Sequence, residues 1–573
     1  MGSAFHYRRA YMNKKQIINV LEDIALYMEV KGENPFKISA YRKAAAALEG
    51  DVRSITEIED ITKIKGIGKG TGEVITELMT TGETSVLIAL QAEIPASLMA
   101  LLKIPGLGGK RIAKLYKELG IDSIESLKQA CEAGQIRTLA GFGAKTEEKY
   151  LAGIAEVETR ADRHAIWRIE PVVNHINQVL ATSEFVNQYS VAGSYRRTNE
   201  TSKDIDFIVA TAEPVKLRNY LLEKLAVHEI VAAGDTKVSV VLDGEELMPV
   251  DFRFVTDKQY ATALHHFTGS KDHNVRMRQI AKERGEKISE YGVEQADGTV
   301  ITFKTEADFF AHFDLPFIPP AIRTGREEFE RELPKQATIK ADLHMHTTWS
   351  DGASAIHEMG DALQQKGYTH AAITDHSQFL AVANGLTPAR LRQQRLEIEA
   401  YNKAHPNFRL FAGTEMDILP DATLDFEDDV LRELDFVIAA IHSSFNQTEE
   451  QIMARMYAAM KNPYVHMIAH PTGRVIEKRE GYAVNMSQLI AWAKQYGKIL
   501  ELNANPYRLD LCEEHLRMAV EAGVPIAINT DAHSIEQLAY MSVGERYAQK
   551  AYVPQELLVN TWTREQFEQF IMR

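Results

Sequence analysis

Two aspartates one residue apart, in Asp204-Ile205-Asp206-Phe207, are joined by a third in Pro249-Val250-Asp251-Phe252-Arg253. On an extended strand alternate side chains share a face, so Asp204 and Asp206 project together while Ile205 and Phe207 turn to a core. Neighbouring carboxylates repel, and a divalent cation relieves the repulsion. Three of them on two strands suit a two-magnesium site for in-line displacement at phosphorus. Upstream, in Val191-Ala192-Gly193-Ser194-Tyr195-Arg196-Arg197, Gly193 lets backbone amides approach a triphosphate, while Ser194 and Arg197 add a hydroxyl and a cation.

A second set of polar residues follows residue 338. Seven apolar runs each end in metal-ligating or hydrogen-bonding groups: Ala341 to His346, Ala371 to His376, Leu410 to Glu415, Val437 to His442, Met467 to His470, Ile499 to Asn503 and Ile526 to His533. His344 and His346 share a face, as do Asp531 and His533. With Asp351, His376, Glu415, His442 and His470 they give more ligands than one ion needs. Bridged by Glu415, they suit three. Imidazole and carboxylate together favour zinc, manganese or iron over magnesium, which prefers oxygen alone.

The elements that must position these groups are legible in outline. Helical segments between the seven runs indicate a β/α repeat, and polar residues at strand ends converge at the mouth of a parallel barrel. The runs Tyr189 to Ala192, Asp206 to Ala210, Val238 to Leu242 and Met248 to Val255 alternate with helical stretches and indicate a mixed sheet with helices. Between these halves lie the segments FIPPAIR and REEFERELPK, which read as a connection. Before Gly153 the chain reads as helices separated by three similar hairpins: Ile64 to Gly70, Ile104 to Lys110 and Leu139 to Lys145. Each is apolar-x-Gly-apolar-Gly with a nearby lysine. Glycine lets the backbone approach a phosphate, and the next helix directs its N-terminal amides at it. Such contacts hold a nucleic acid without reading its sequence.

The chain has 573 residues, 45% apolar and 25% charged, which excludes wholesale disorder, and no apolar run is long enough for a membrane span. Two cysteines, Cys131 and Cys512, exclude a disulfide framework and fit a reducing cytoplasm. The net charge of −15 does not exclude nucleic acid, because the acidic excess lies mostly beyond the hairpin region. Residues 1–11 lack the apolar core of a secretory signal and read as a leader.

The aspartate and Gly-Ser motifs resemble the nucleotidyltransferase superfamily of the DNA polymerase beta type. His266-Phe267-Thr268-Gly269-Ser270 and His273-Asn274-Val275-Arg276-Met277-Arg278 resemble the thumb of family X DNA polymerases, with Asn274 and Arg278 on one helical face. Lys37-Ile38-Ser39-Ala40-Tyr41 resembles the small 5′-end-binding domain of that family. This resemblance covers residues 13–320 and implies catalytic, magnesium-holding roles for Asp204, Asp206 and Asp251. It implies nucleotide contacts from Gly193, Ser194, Arg197, Phe267, Gly269, Asn274 and Arg278. It implies DNA contacts from Lys37, Tyr41, Gly66, Gly68, Gly106, Gly108, Gly141 and Gly143. Two departures stand out: His266 replaces the tyrosine often found before Phe267, and Val74 stands where animal members carry a Schiff-base lysine, with Lys69 nearby.

The nine barrel ligands, His344, His346, Asp351, His376, Glu415, His442, His470, Asp531 and His533, resemble the set of the PHP (polymerase and histidinol phosphatase) family over residues 338–573, with Arg474 placed to hold a phosphate. The implied protein is a gap-filling family X DNA polymerase. Its PHP domain would act as a manganese- or zinc-dependent 3′–5′ exonuclease, with abasic sites and 3′-phosphates as further substrates. Its partners would be gapped or primed DNA and deoxynucleoside triphosphates, with no membrane, and the chain would be a cytoplasmic monomer. The expected fold is multidomain α/β. It comprises a helical 5′-end domain (12–90), a helix-hairpin-helix domain (91–160), a palm with a mixed sheet (161–260), a thumb (261–320), a linker (321–337) and a distorted seven-stranded β/α barrel (338–573). An RNA or small-molecule nucleotidyltransferase and a DNA-end-binding scaffold are the alternatives, as are barrel ions that stabilise the fold without turnover.

Overall fold

Three times in the N-terminal part a short 3-10 helix runs into a glycine hairpin and out into an α-helix. The computed structural model describes residue 12 and residues 14–572 apart from 50, 52–54, 56, 57, 59, 105, 162, 245 and 336. The expected leader, 1–11, and Pro105 of the second hairpin lie outside the described residues. The 3-10 turns are Ile61–Lys63, Leu101–Lys103 and Ile136–Thr138. After each, an amide closes the hairpin: Ile67 to the carbonyl of Ile64 at 3.0 Å, Leu107 to Ile104 at 3.1 Å and Phe142 to Leu139 at 3.1 Å. The first glycines, Gly66, Gly106 and Gly141, have φ of 111°, 83° and 88°, a region that side chains with a Cβ avoid. The second glycines, Gly68, Gly108 and Gly143, lead directly into helices Lys69–Thr81, Gly109–Leu119 and Ala144–Ala161. One backbone solution is thus used three times.

This helical part, through residue 162, forms one compact unit with residues 379–382, and residues 163–378 with 383–573 form the other. In the second unit a short antiparallel pair, β1 (His164–Ala165) with β3 (Thr201–Ser202), precedes a five-stranded sheet. Its strands are β2 (Gln188–Val191), β4 (Ile205–Ala210), β5 (Val227–Ala233), β6 (Lys237–Leu242) and β7 (Met248–Val255), in the order β2-β4-β7-β6-β5. Only the central β4–β7 pair is parallel, so the sheet is mixed. In β7 Met248, Val250, Phe252 and Phe254 are buried and the residues between them half-buried, as alternation requires. Strand β5, absent from the expected runs, is an edge strand with Ile230 and Val231 exposed, so no burial pattern marks it in the sequence.

Helices Tyr260–Thr268, Lys271–Glu283 and Glu306–His312 follow, with the small sheet β8 (Lys287–Ser289), β9 (Gly292–Glu294) and β10 (Val300–Ile301). The segment expected to act as a linker is packed down by two buried charges. Arg323 is fully buried and meets Glu306 at 2.6 Å, and buried Glu328 meets His273 Nδ1 at 2.9 Å. Glu328 also accepts the amides of Gly325 and Arg326 at 2.6 and 2.9 Å.

The remaining strands form a parallel barrel in chain order: β11 (Ala341–Asp342), β12 (His370–Ile373), β13 (Arg409–Asp417), β14 (Phe436–Ala440), β15 (Met467–Ile468), β16 (Ile499–Asn503) and β17 (Ile526–Asn529). A bridge between Met345 and Ala532, with the His346 amide 2.8 Å from the Ala532 carbonyl, closes the ring. Phe567, on helix Arg564–Ile571, is buried against Ala341, Phe411 and Phe436 and plugs the N-terminal end, so the opposite mouth is left for chemistry. No helix among the described residues is long and apolar enough to cross a membrane.

Burial opposes the ionisation of Glu328, but His273 and the amides of Gly325 and Arg326 hold its carboxyl down to about 2. A group held below its ordinary 4.5 stabilises the fold fully above that pH and loses the contribution as pH falls towards 2. Glu328→Gln should therefore lower stability at pH 7 by on the order of 2–3 kcal/mol and flatten the acid limb between pH 4.5 and 2. Denaturant melts of both proteins across that range check this.

Candidate active sites in the palm and the barrel

Parallel pairing of β4 with β7 puts Asp206 directly opposite Asp251. Asp204 does not lie on the strand as expected. It occupies the exposed bend before β4, and Ile205 and Phe207 are buried beneath. The bend carries its carboxylate to the same cluster: burial first, then the charges of Asp204 and Asp251, push Asp206 up to about 7. Lys237 Nζ, from β6, answers Asp251 Oδ2 at 2.6 Å. Gly193 has φ of 62°, and a Cβ there would collide with the Asp206 carboxylate. The glycine thus keeps open a cradle beside Asp206, and an all-oxygen donor set of this kind fits a hard divalent cation.

The other expected nucleotide contacts surround this cluster. Ser194 Oγ hydrogen-bonds with Ser202 Oγ, and Ser202 Oγ donates to the Asp204 carbonyl at 2.8 Å. Arg197 donates to the Thr268 carbonyl beside Gly269, whose φ is 65°. Phe267 lies under the Arg253 guanidinium, 4.8 Å from the ring centre. Asn274 donates to the His266 carbonyl at 2.7 Å, which leaves its buried Oδ1 without a partner, and Arg278 is exposed on the same helix. In the helical unit Lys37 is exposed and paired with Glu33 at 3.3 Å, and Tyr41 is half-buried. Val74 is buried in the core, and Lys69 is exposed at the start of its helix.

In the barrel Glu415 stands at the centre. Its Oε1 lies 2.8 Å from His470 Nε2 and 3.1 Å from His442 Nε2, and its Oε2 lies 2.8 Å from His376 Nδ1 and 3.5 and 3.6 Å from Nε2 of His344 and His346. Asp531 Oδ1 approaches those last two nitrogens at 3.4 and 3.2 Å. Asp351 Oδ1 faces His376 at 3.7 Å, His533 at 3.5 Å and His346 at 3.9 Å. All nine expected residues therefore converge. They form three overlapping groups: His346, Asp351, His376 and His533; His344, His346 and Asp531; and His376, Glu415 and His442. His470 joins through Glu415. Glu415 Oε2 and Nδ1 of His346, His376 and His470 are buried yet make no hydrogen bond. Buried ligand atoms left without a well-formed hydrogen bond, within a cluster of imidazoles and carboxylates, fit divalent ions.

Residues the sequence reading did not single out orient this set. Glu501 Oε1 holds His344 Nδ1 at 2.7 Å, its other oxygen takes the His470 amide at 2.6 Å, and Asp417 holds His442 Nδ1 at 3.2 Å. Such carboxylate–histidine pairs fix which nitrogen faces an ion. The only signal was an acid inside an apolar strand run. Arg474 is a correction: its guanidinium is taken by Glu200 at 2.7 Å and by the carbonyls of Arg508 and Leu509, so it is not free to hold a phosphate. Arg508 reaches the site instead, with Nε 3.6 Å from Asp531 Oδ2.

Fold and sites define a two-centre protein, a nucleotidyltransferase palm joined to a metal-binding barrel. The family descriptions helix-hairpin-helix domain (residues 12–84), SAM-like helix-hairpin-helix tandem (98–154), DNA polymerase beta thumb (263–324) and PHP domain (342–505) match the chain. A Bacillus subtilis (strain 168) protein named DNA polymerase/3′-5′ exonuclease PolX is 53% identical over 568 residues, 98% of this chain and all of that protein. The chain belongs to this family, the family X DNA polymerases that carry a PHP domain. Probable phosphatases of Caldicellulosiruptor bescii and Acetivibrio thermocellus are 27% and 28% identical over 39% and 40% of the chain, which covers 91% and 95% of their lengths.

Because Asp206 is held up at about 7, its ionisation costs folding energy that begins to accrue above its ordinary 3.8 and is complete above 7. Asp206→Asn should thus melt a few degrees higher than the parent protein in chelator at pH 8, with the gain vanishing near pH 4. Magnesium should raise the parent's melting temperature more than the variant's. Calorimetry with and without the ion reads both effects.

Proposed function

We propose that this chain fills short gaps in DNA with its palm and trims DNA 3′ ends with its barrel. The observation that carries the palm reading is the β4–β7 register, which opposes Asp206 and Asp251 with Asp204 at their side. In the transfer, the primer 3′-oxygen bonds to the α-phosphorus of a deoxynucleoside triphosphate. The bond from that phosphorus to the β-phosphate oxygen breaks, and pyrophosphate leaves with the electron pair. Magnesium, when bound, supplies charge neutralisation and a lowered pKa for the attacking hydroxyl. Asp204 and Asp206 would hold both ions, and Asp251, opposite Asp206, would complete the primer side and take the hydroxyl proton. Gly193, Ser194 and Arg197 orient the triphosphate, Phe267 and Gly269 bound the sugar, and Asn274 with Arg278 face the nascent pair. The hairpin glycines, Gly66, Gly68, Gly106, Gly108, Gly141 and Gly143, hold phosphates through backbone amides, and Lys37 with Tyr41 serves the 5′ side of a gap. Val74, buried and without a nucleophile, does not serve abasic-site Schiff-base chemistry.

In the barrel the nine-residue set suits manganese or zinc better than magnesium. When bound, such ions make water nucleophilic near neutral pH. His344, His346, Asp351, His376, Glu415, His442, His470, Asp531 and His533 would hold them, while Glu501 and Asp417 fix the ring orientations of His344 and His442. The substrate is a phosphodiester at a DNA 3′ end, with abasic sites and 3′-phosphates in the same chemical class.

Asp204→Ala or Asp251→Ala should cut nucleotide addition on gapped DNA by roughly 1,000-fold or more, because several kcal/mol of metal-held stabilisation is lost, while DNA binding persists. Single-turnover extension alongside a gel-shift titration tests it, and undiminished extension refutes the site. His344→Ala with His346→Ala should remove manganese-stimulated degradation of 5′-labelled strands while leaving extension intact. Degradation that survives the double change places the nuclease elsewhere.

A further inference from the structure

A cavity of about 540 Å³ opens where palm, thumb, the packed connection and barrel meet. Five cations line it, Arg197, Arg323, Arg326, Arg517 and Lys550, against three carboxylates. This local excess of positive charge stands in a chain whose net charge is −15. Part of it is answered inside the protein: Arg323 pairs with Glu306 at 2.6 Å, and Arg517 with Glu327 at 2.9 Å and Glu513 at 3.2 Å. Lys550 Nζ has mainly neutral partners, Asn199 Oδ1 at 2.8 Å and the Thr198 carbonyl at 3.4 Å, with Glu513 Oε2 at 3.5 Å. Burial presses its ammonium towards the neutral form against the pull of Glu513 and Glu200. Arg326 stands exposed at the rim.

Arg197 belongs both to this cavity and to the triphosphate grip assigned above. The basin therefore adjoins that grip through Arg197 and is lined by further guanidinium and ammonium groups, which match phosphate oxygens in charge and hydrogen bonding. We propose that the basin receives the pyrophosphate released by nucleotide transfer, so that Arg517 and Lys550, two residues of the barrel half, serve product release at the palm. When the α–β bond breaks, the leaving group carries the electron pair and an added negative charge. The excess of cations lining the adjoining basin lowers its energy there, away from the carboxylates that held the nucleotide's ions. The inference rests on the polymerase reading, but the binding it requires is measurable without polymerisation.

The full chain is titrated calorimetrically in chelator, without DNA, with inorganic pyrophosphate, orthophosphate and dATP in separate arms. Chelation removes the ions through which the palm carboxylates would hold a phosphate, so what remains reports the basin. Pyrophosphate should bind more tightly than orthophosphate or dATP. Arg326→Ala with Lys550→Gln should weaken it about 10-fold or more, and Asp204→Ala should leave it unchanged. Arg326→Ala alone, at an exposed position, should weaken it in the same direction without disturbing the fold. On gapped DNA the double variant should need correspondingly more pyrophosphate for half-inhibition of extension. Unchanged affinity in the double variant, or loss of binding in Asp204→Ala, overturns the proposal. Equal affinity for orthophosphate marks a general anion patch, and tighter dATP marks a site for the intact nucleotide; either also overturns it. Absence of extension by the parent protein, with pyrophosphate binding intact, would instead count against the polymerase reading.

Discussion

Carboxylates held closer together than charge repulsion favours are the constraint around which both halves of the second unit are built. In the palm, the parallel register of β4 and β7 forces Asp206 against Asp251, while Ile205, Phe207, Val250 and Phe252 turn to the core on the opposite face. The cost is visible in the Asp206 carboxyl, which stays up at about 7 although Arg253 and Lys237, the latter also paired with Asp251, pull it down. In the barrel the same problem is met with imidazoles. Glu415 is buried, yet His442, His344 and His376 hold its carboxyl well below the usual range. In return, Glu501 and Asp531 hold the buried His344 ring well above its ordinary value. An acidic cluster offers oxygen ligands alone and one interleaved with imidazole offers nitrogen as well, so one chain presents two chemically different donor sets.

Direct contacts join these two centres. Glu200, two residues before Ser202, receives Arg474 at 2.7 Å and also the Tyr547 hydroxyl. Arg474 follows His470 in the loop that closes the barrel site, and Ser202 hydrogen-bonds with Ser194 and with the Asp204 carbonyl. A short covalent and hydrogen-bonded path therefore runs from a barrel ligand to the carboxylate cluster. Beside it, Arg168 bridges Glu246 at 2.6 Å and Glu477 at 3.0 Å, and Trp167 stacks on Tyr507 with centroids 4.6 Å apart. Partly buried guanidinium forks and a stacked aromatic pair resist sliding more than isolated surface ion pairs do.

What the sequence disclosed follows from where each residue lies. The barrel ligands were legible because each polar group interrupts an apolar run at a strand end, and the glycine hairpins because the same backbone demand recurs. Asp206 and Asp251 were legible because each is an acid set in an apolar run, whereas Asp204 was placed on a strand because spacing alone cannot distinguish a strand residue from the bend before it. Lys237 escaped notice because a lysine in an alternating strand reads as solvent-facing. Glu501 and Asp417 were missed because a buried acid declares itself only through a partner distant in sequence. Arg474 was misassigned for that reason too: proximity to His470 in the chain suggested a phosphate, and the partner that claims it, Glu200, lies far away in the palm. The edge strand β5, with little to bury, left no periodic trace.

The acidic balance of the chain and its affinity for a polyanion are compatible because the two tasks use different kinds of charge. What each hairpin offers is a set of backbone amides at the start of a helix, which carry partial positive charge without adding to the net charge. An exposed lysine stands within two residues of each second glycine: Lys69, Lys110 and Lys145. The carboxylates of the β4–β7 cluster and of the barrel mouth belong to the other compact unit. Attraction to DNA that relies on dipoles and a few lysines is short-ranged and blind to sequence, which suits a protein whose site of action is defined by the end of a strand.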